Sequence, residues 1–211
     1  MPHNFEENKL PSVTQILREM IPEPDGLKFW KNKNPEWERM LKERGNIGTL
    51  VHYHILNKLS PLELEPPDID LKDYPDDIYY LLENAVEMWE HLYLNIEPLE
   101  VEQFHKNDKY CGTLDLLGIL DDEVVLFDLK TSKAIYDNHL LQLGGYAGLL
   151  EDFPDKAMII SIHPFIETNP NLEVKTKVID CNKLYNLTKE FNTLVDKWWD
   201  IKQYKKDIGG Y

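Results

Sequence analysis

Apolar residues recur at helical spacing through the first 96 residues of the chain. Ser12 or Thr14 is suited to cap a first helix, and Pro35 is suited to the first turn of a longer one. Another helix is predicted to begin at Asp76 or Asp77. Its apolar face consists of Ile78, Leu81, Leu82, Ala85, Met88, Trp89 and Leu92. The N-terminal part of the chain is therefore predicted to be mostly helical.

From about Pro98 onward, the apolar residues alternate with polar ones or form short runs, as they do in strands. Asp121 and Asp122 separate two of these runs and predict a hairpin turn. A helix capped by Asp137 or Asn138 follows, and a long helix closes the chain. The predicted strands are LEVEQF, CGTLDLLGIL, EVVLFDLKT, AMIISIHPF and LEVKTKVID.

The order of these elements predicts an α/β fold. Three strands joined by short turns form an antiparallel meander, and the helix after the third strand supplies a crossover to the fourth. The central sheet is therefore expected to be mixed and to be flanked by helices. A length of 211 residues suits a single domain, with a helical part at 1–96 and an αβ core at 97–211.

Composition narrows the class of protein. Hydrophobic residues make up 42% and charged residues 29%, which is typical of a globular chain. No apolar run approaches the roughly 18 residues that a membrane helix needs, and the N-terminus lacks the pattern of a signal peptide. Cys111 and Cys181 are too few for a four-cysteine iron–sulfur cluster or a disulfide framework. We therefore expect a reduced, cytoplasmic protein without a membrane partner.

The net charge of −15 argues against a protein that coats nucleic acid by bulk charge. The charge is unevenly distributed, because residues 61–83 carry eight acidic residues against Lys72 alone. Residues 197–206 carry four lysines against Asp200. We expect the acidic run to lie away from any nucleic-acid path and the C-terminal lysines to contact a nucleic-acid backbone.

Two aspartates are predicted to lie opposite each other in the central hairpin. A turn centred between Asp121 and Asp122 pairs Asp115 with Asp128, at a Cβ separation of roughly 4.5–5.5 Å. Two carboxylates this close among apolar residues repel each other, and a bound divalent cation relieves the repulsion. Lys130 shares the face of Asp128, because residues two apart in a strand point the same way. A surface ion pair between Asp128 and Lys130 is the alternative interpretation.

Two of the predicted helices add candidate polar residues. Gln142 and Tyr146 are about one helical turn apart and therefore share a face. His52 follows Gly48 by one turn, and a small residue at that place permits a close approach to a neighbouring element. Taken alone, each of these residues is more often structural than functional.

Together these motifs resemble those of the RecB-type PD-(D/E)XK nucleases, which include viral, phage and CRISPR-associated RecB-like exonucleases. The segment PSVTQIL, followed by Trp30, is similar to the viral members, and the resemblance covers about residues 11–165. Asp128 stands where many relatives have Glu, and the cysteines that hold an iron–sulfur cluster in some relatives are absent. The motifs are Gly48…His52, Gly112-x-x-Asp115, Asp128-x-Lys130 and Gln142-x-x-x-Tyr146.

The resemblance implies a restriction-endonuclease-like core and a metal-dependent DNase that hydrolyses phosphodiester bonds, without an iron–sulfur cluster. Asp115, Asp128 and Lys130 would be catalytic. Gln142 and Tyr146 would position the DNA strand. The implied ligands of Mg²⁺ or Mn²⁺ are His52, Asp115, Asp128 and the Leu129 carbonyl, with Glu100 or Glu102 as an additional contact.

The activity expected first is that of an exonuclease on single-stranded DNA or DNA ends, because a helical N-terminal half over the cleft favours a flexible free end. Two alternatives stay open: a structure-selective or single-strand endonuclease on the same core, and a catalytically inactive DNA-binding or assembly module. The intact set of Asp115, Asp128 and Lys130 weighs against the inactive module. The sequence predicts no polarity and no oligomeric state, and a viral member would act in the host-cell cytoplasm.

Overall fold

The computed structural model describes residues 10–70, 72, 74, 78–92, 95–163 and 174–207. The helices are α1 (Val13–Met20), α2 (Asp25–Lys33), α3 (Trp37–Leu59), α4 (Ile78–His91), α5 (Asp137–Ala147) and α6 (Cys181–Asp207). The strands are β1 (Glu97–Lys106), β2 (Cys111–Leu120), β3 (Glu123–Lys130), β4 (Lys156–Ile162) and β5 (Val174–Asp180). Asp76 and Asp77, the predicted start of α4, lie outside the described residues.

The five strands form one mixed sheet in the order β1-β2-β3-β4-β5. Strands β1, β2 and β3 pair antiparallel, as do β4 and β5. Strands β3 and β4 pair parallel, and α5 lies in the crossover between them. The predicted α/β class, with a mixed central sheet flanked by helices, is confirmed.

The hairpin between β2 and β3 has the predicted turn and register. Asp121 and Asp122 have φ angles of 54° and 64°, the left-handed conformation that both central residues of a two-residue type I′ turn adopt. Aspartate tolerates this conformation better than most residues. The ladder runs from Leu120 paired with Glu123 to Leu116 paired with Phe127, so the next two residues along it are Asp115 and Asp128.

Two hydrophobic cores cover the two faces of the sheet. One core joins α1, α5 and α6 to the sheet, and the other joins α3 and α4 to it. Along β3, Leu126 belongs to the first core, whereas Phe127 and Leu129 belong to the second. Alternation along a strand therefore directs Asp128 and Lys130 toward the α5 side of the sheet.

The glycines of α5 allow close packing against α6. A Cβ atom on Gly144 would lie 2.5 Å from the carbonyl carbon of Leu187, so only glycine fits at this crossing. The Thr188 hydroxyl donates to the Gly144 carbonyl at 3.0 Å. The neighbour that requires Gly144 is therefore α6.

Three local expectations differ from the structure. Pro35 precedes α3, because the N-cap of that helix is Glu36 and its first residue is Trp37. The N-cap of α5 is Tyr136, and Asp137 is the first helical residue. The short helix α2 was not expected, since none of its residues is buried and it presents no apolar stripe.

Ser12 caps α1 as predicted, accepting from the Gln15 N–H at 3.1 Å. In the described part of the chain, no helix combines the length and the apolar character needed to cross a membrane.

Candidate metal centre

Helix α3 brings His52 against strand β2. The Nδ1 atom of His52 lies 3.7 Å from Oδ1 of Asp115. Gly48, one turn earlier, permits this approach, because a Cβ atom there would lie 2.9 Å from the Thr131 hydroxyl oxygen just beyond β3. The Gly48…His52 spacing therefore has a packing explanation, and it places a ring nitrogen beside a carboxylate.

Glu102 on β1 joins this pair. Val101 pairs with Leu116 and Gln103 with Leu114, so the register places Glu102 next to Asp115. The φ angle of Glu102 is 49°, in the left-handed region that glutamate rarely adopts. Such strain persists only where the surrounding structure imposes it, and it is frequent at functional sites.

The three side chains form a cluster with the geometry of a metal site. One ligand atom each from His52, Glu102 and Asp115 can be chosen so that all lie within 4.8 Å of one another. An imidazole with two carboxylates is a donor set that suits Mn²⁺ as well as Mg²⁺. All three residues are among those implied by the resemblance, Glu102 only as an additional contact.

Burial and charge tune the protonation of this cluster. Burial lowers the pKa of His52, and the Asp115 carboxylate opposes the effect, so a neutral ring able to bind a metal is favoured. Desolvation, and then the charge of Asp115, raises the pKa of Glu102 to about 7. A cation between the carboxylates would relieve the repulsion that contributes to this shift.

Asp128 and Lys130 form a second group beside the cluster. The Asp128 side chain is 1% exposed, and the Lys130 ammonium pairs with its Oδ2 atom. No described residue donates a hydrogen bond to Oδ1 of Asp128. Burial raises the pKa of Asp128, and the charge of Lys130 acts in the opposite direction.

The backbone at Leu129 connects the two groups. The Leu129 N–H donates to Oδ2 of Asp115 at 2.7 Å, which leaves Oδ1 of Asp115 beside His52. The Leu129 carbonyl accepts from the Lys130 ammonium at 3.2 Å. Asp115 is thus held in place by β3, and the predicted carbonyl ligand lies within reach of Lys130.

Gln142 and Tyr146 lie together on α5, as their spacing predicts. The Gln142 side-chain amide donates to the Tyr146 hydroxyl at 2.9 Å. Burial, followed by the charges of Asp128 and Asp115, raises the pKa of Tyr146, so its phenol remains protonated and able to donate. Both residues therefore lie close to the carboxylates, on the side of the sheet that carries Lys130.

The first position of the Gly112-x-x-Asp115 motif is a glycine because the Tyr146 ring packs against it. A Cβ atom on Gly112 would lie 2.8 Å from Cε1 of Tyr146 and 3.3 Å from Val13. The glycine therefore provides the space that the Tyr146 ring occupies against β2.

Replacing Gly112 with Ala is expected to displace the Tyr146 ring and to lower the free energy of unfolding by about 1–3 kcal/mol, the usual cost of overpacking. Chemical denaturation measures the effect. Gly45→Ala is the matched control: nothing lies within 4 Å of its Cβ, and alanine favours the helix by up to about 1 kcal/mol. Equal stability of the Gly112→Ala variant and the parent would contradict this account.

Glu100 lies outside the cluster. Its carboxylate accepts from, or pairs with, Nε2 of His105 at 2.7 Å. Regular alternation would direct Glu100 and Glu102 to the same face, but the left-handed backbone of Glu102 interrupts it. Of the two glutamates named from the sequence, only Glu102 reaches the candidate metal site.

The cluster of His52, Glu102 and Asp115 lines a cavity of about 540 Å³. None of the described residues that line it is a lysine or an arginine. Contrary to expectation, part of the acidic run at 61–83 borders this cavity through Glu65. The lining residues are Thr49, His52, Tyr53, Leu64, Glu65, Pro67, Glu102 and Asp115.

Comparisons with known proteins give similarity to solved structures. No protein-family model and no curated protein matches the chain. Among solved structures, the chain is similar to a phage-related exonuclease from Haemophilus somnus 129PT, with 14% identity, a TM-score of 0.41 and coverage of 94% of this chain and 96% of that one. It is also similar to SSO0001, with 17% identity, a TM-score of 0.30 and coverage of 58% of this chain and 62% of that one. At these identities, an activity is argued from the residues of the site.

Without metal, the parent is expected to lose stability relative to a Glu102→Gln variant as pH rises from about 5 to about 8. The pKa of Glu102 is about 7 in the folded protein and near 4.5 in the unfolded chain, so the folded state binds its proton more tightly. That stabilisation is complete below the unfolded pKa and disappears above the folded one. Histidines whose pKa is lowered in the folded state make the protein more stable as pH rises. They are present in both the parent and the variant, so they do not affect the difference between the two. Denaturation at several pH values tests this, and parallel stability curves would contradict it.

Proposed function

We propose that the protein is a divalent-metal-dependent deoxyribonuclease that hydrolyses phosphodiester bonds, and that its substrate is single-stranded DNA or a DNA end. The observation that carries the proposal is the cluster of His52, Glu102 and Asp115 beside the buried pair of Asp128 and Lys130. The order of motifs supports it, since it resembles that of RecB-type PD-(D/E)XK nucleases on a restriction-endonuclease-like core. We also propose that residues 1–211 act as a single nuclease domain, with 1–96 covering the cleft.

The residues present fit a hard divalent cation. His52, Glu102 and Asp115 would hold Mg²⁺ or Mn²⁺, and the unpartnered Oδ1 of Asp128 offers a further anionic oxygen nearby. When bound, the metal would supply polarisation of the scissile phosphate and a lower pKa for an attacking water. Burial favours the neutral form of His52, which is the form that can act as a ligand.

The chain's own residues supply positioning and charge. Lys130 lies between the Asp128 carboxylate and the Leu129 carbonyl, where its ammonium can orient a water molecule and stabilise charge that develops on the phosphate. Tyr146 keeps its proton and can donate to a phosphate oxygen, while Gln142 fixes the direction of the phenol. Because no lysine or arginine lines the cavity among the described residues, phosphate binding there should require the cation.

A digestion series tests the proposal. Single-stranded DNA is supplied as an end-labelled linear form, as a linear form with blocked ends and as a covalently closed circle, each with Mn²⁺, Mg²⁺ or chelator. The proposal predicts rapid loss of the labelled linear form, slow loss of the circle and no cleavage with chelator. Rapid cleavage of the circle would favour the endonuclease. Metal-dependent binding without cleavage would favour an inactive DNA-binding module.

A further inference from the structure

The segment 60–70, which follows α3, forms one wall of the cavity. We refer to it as the 60–70 loop. Leu64, Glu65 and Pro67 line the same cavity as His52 and Asp115. The loop therefore stands next to the candidate metal ligands, although it lies far from Asp115 in the sequence.

The 60–70 loop is anchored to the fold. The Leu64 N–H donates to Oδ1 of Asn57 on α3 at 2.8 Å, and the Ile69 N–H donates to the Pro67 carbonyl at 2.8 Å. Leu64 and Ile69 also pack against the core that joins α3 and α4 to the sheet. Pro61, Pro66 and Pro67 restrict the backbone further by fixing φ. The loop is thus a fixed wall of the cavity.

The 60–70 loop lies on the opposite side of the sheet from Lys130 and Tyr146, which are proposed to act on the DNA strand. The cavity is lined by α3, the loop, β1 and β2. Leu64 and Ile69 of the loop pack against the core on the α3 side of the sheet, whereas Tyr146 belongs to the core on the α5 side, toward which Lys130 also points. A DNA strand held on the α5 side of the metal ligands would therefore meet the 60–70 loop on their other side.

Glu65 gives this wall a negative charge. Its carboxylate is not one of the ligand atoms that cluster within 4.8 Å, so it is not placed to bind the same metal. None of the described lining residues carries a positive side chain that could neutralise it, apart from a protonated His52. A DNA phosphate carried past the metal would be repelled by Glu65.

From this arrangement we infer that the 60–70 loop, through Glu65, closes the cavity beyond the metal ligands and makes cleavage depend on a free DNA end. The inference rests on the proposed nuclease function and adds to it a residue that determines specificity. A strand can enter from the α5 side with its terminal nucleotides in the cavity, and its products are short. A strand without an end would have to place a further phosphate against Glu65.

The test compares Glu65→Lys with Glu63→Lys. Both variants reverse one charge in the same loop, but Glu63 does not line the cavity and is exposed. Cleavage by the full chain with Mn²⁺ is measured on a closed single-stranded circle and on a linear strand of the same sequence, and product lengths are read from an end label. Glu65→Lys is expected to raise the circle-to-linear rate ratio by about tenfold and to lengthen the products, the scale expected for reversing one partly solvated charge beside a phosphate. Glu63→Lys should leave both quantities at the parent values.

The possible outcomes separate the inference from the function on which it rests. Equal ratios for the two variants, or a parent that cuts circles as fast as linear strands, would overturn the inference while the nuclease remains. A parent that cuts no DNA with Mn²⁺ would overturn both. If Glu65→Lys fails to fold, the near-isosteric Glu65→Gln replaces it, with Glu63→Gln as its control, and a smaller rise in the same ratio is expected.

Discussion

Replacing Asp115 with Asn is expected to weaken Mn²⁺ binding by more than about 100-fold. Removing a residue that only hydrogen-bonds to a metal ligand already lowers metal affinity by about 10–100-fold, and Asp115 is itself a proposed ligand. Asp115 has two functions in the site. Its Oδ2 atom accepts from the Leu129 N–H at 2.7 Å, and its Oδ1 atom lies 3.7 Å from His52. Asparagine keeps an oxygen for the Leu129 N–H but lacks the charge that the cation requires, so the fold should be retained.

Calorimetric titration with MnCl₂ measures the effect of Asp115→Asn. Asp108→Asn is the matched control, because Asp108 is exposed in the turn between β1 and β2. The loss of the Asp115 charge should also bring the pKa of Glu102 down toward its ordinary value, since that charge contributes to raising it. Unchanged Mn²⁺ affinity in the Asp115 variant would show that Asp115 is not a metal ligand.

Lys130→Met is expected to lower the cleavage rate by about 100–1,000-fold, the scale found for removal of one group that stabilises transition-state charge. Binding of DNA by the metal-loaded protein should be retained. The same substitution should lower the free energy of unfolding by about 3–5 kcal/mol at pH 8, because it leaves the buried Asp128 carboxylate without its partner. A variant whose cleavage rate is within a few-fold of the parent rate would show that Lys130 only forms a structural ion pair with Asp128.

The pH dependence and a double variant separate these two effects. Lys130 lowers the pKa of Asp128, so without it that pKa rises further. A raised folded-state pKa means stability that is lost as pH increases, so the Lys130→Met defect should be smaller at pH 5.5 than at pH 8. Adding Asp128→Asn to Lys130→Met removes the buried charge and should restore stability without restoring cleavage. Recovery of cleavage in the double variant would contradict a catalytic role for Lys130.

The sequence predicted the central hairpin because its determinants are local. A two-residue turn at Asp121 and Asp122 fixes the pairing of β2 with β3, and the apolar runs beside it require burial. Continuing that register by one pair beyond Leu116 and Phe127 would bring Asp115 opposite Asp128. The sequence did not indicate where the two carboxylates point: Asp115 lies beside His52, whereas Asp128 pairs with Lys130.

The remaining parts of the site depend on backbone details and long-range contacts that sequence patterns do not contain. Glu102 reaches Asp115 through a left-handed backbone in a strand whose sequence alternates regularly. The 60–70 loop borders the cavity because Leu64 and Ile69 pack against a core formed by distant elements. A run of acidic residues predicts solvent exposure, which Glu65 has, but it does not predict which cavity the exposed residues surround.

Cleavage of an end-labelled single strand by the parent and by Asp115→Asn, each with Mn²⁺ and with chelator, tests the central claim most directly. The cluster of His52, Glu102 and Asp115 predicts that the parent with Mn²⁺ degrades the strand and that the other three reactions leave it intact. Degradation by Asp115→Asn at the parent rate, or by the parent with chelator present, would contradict a metal centre built on these residues.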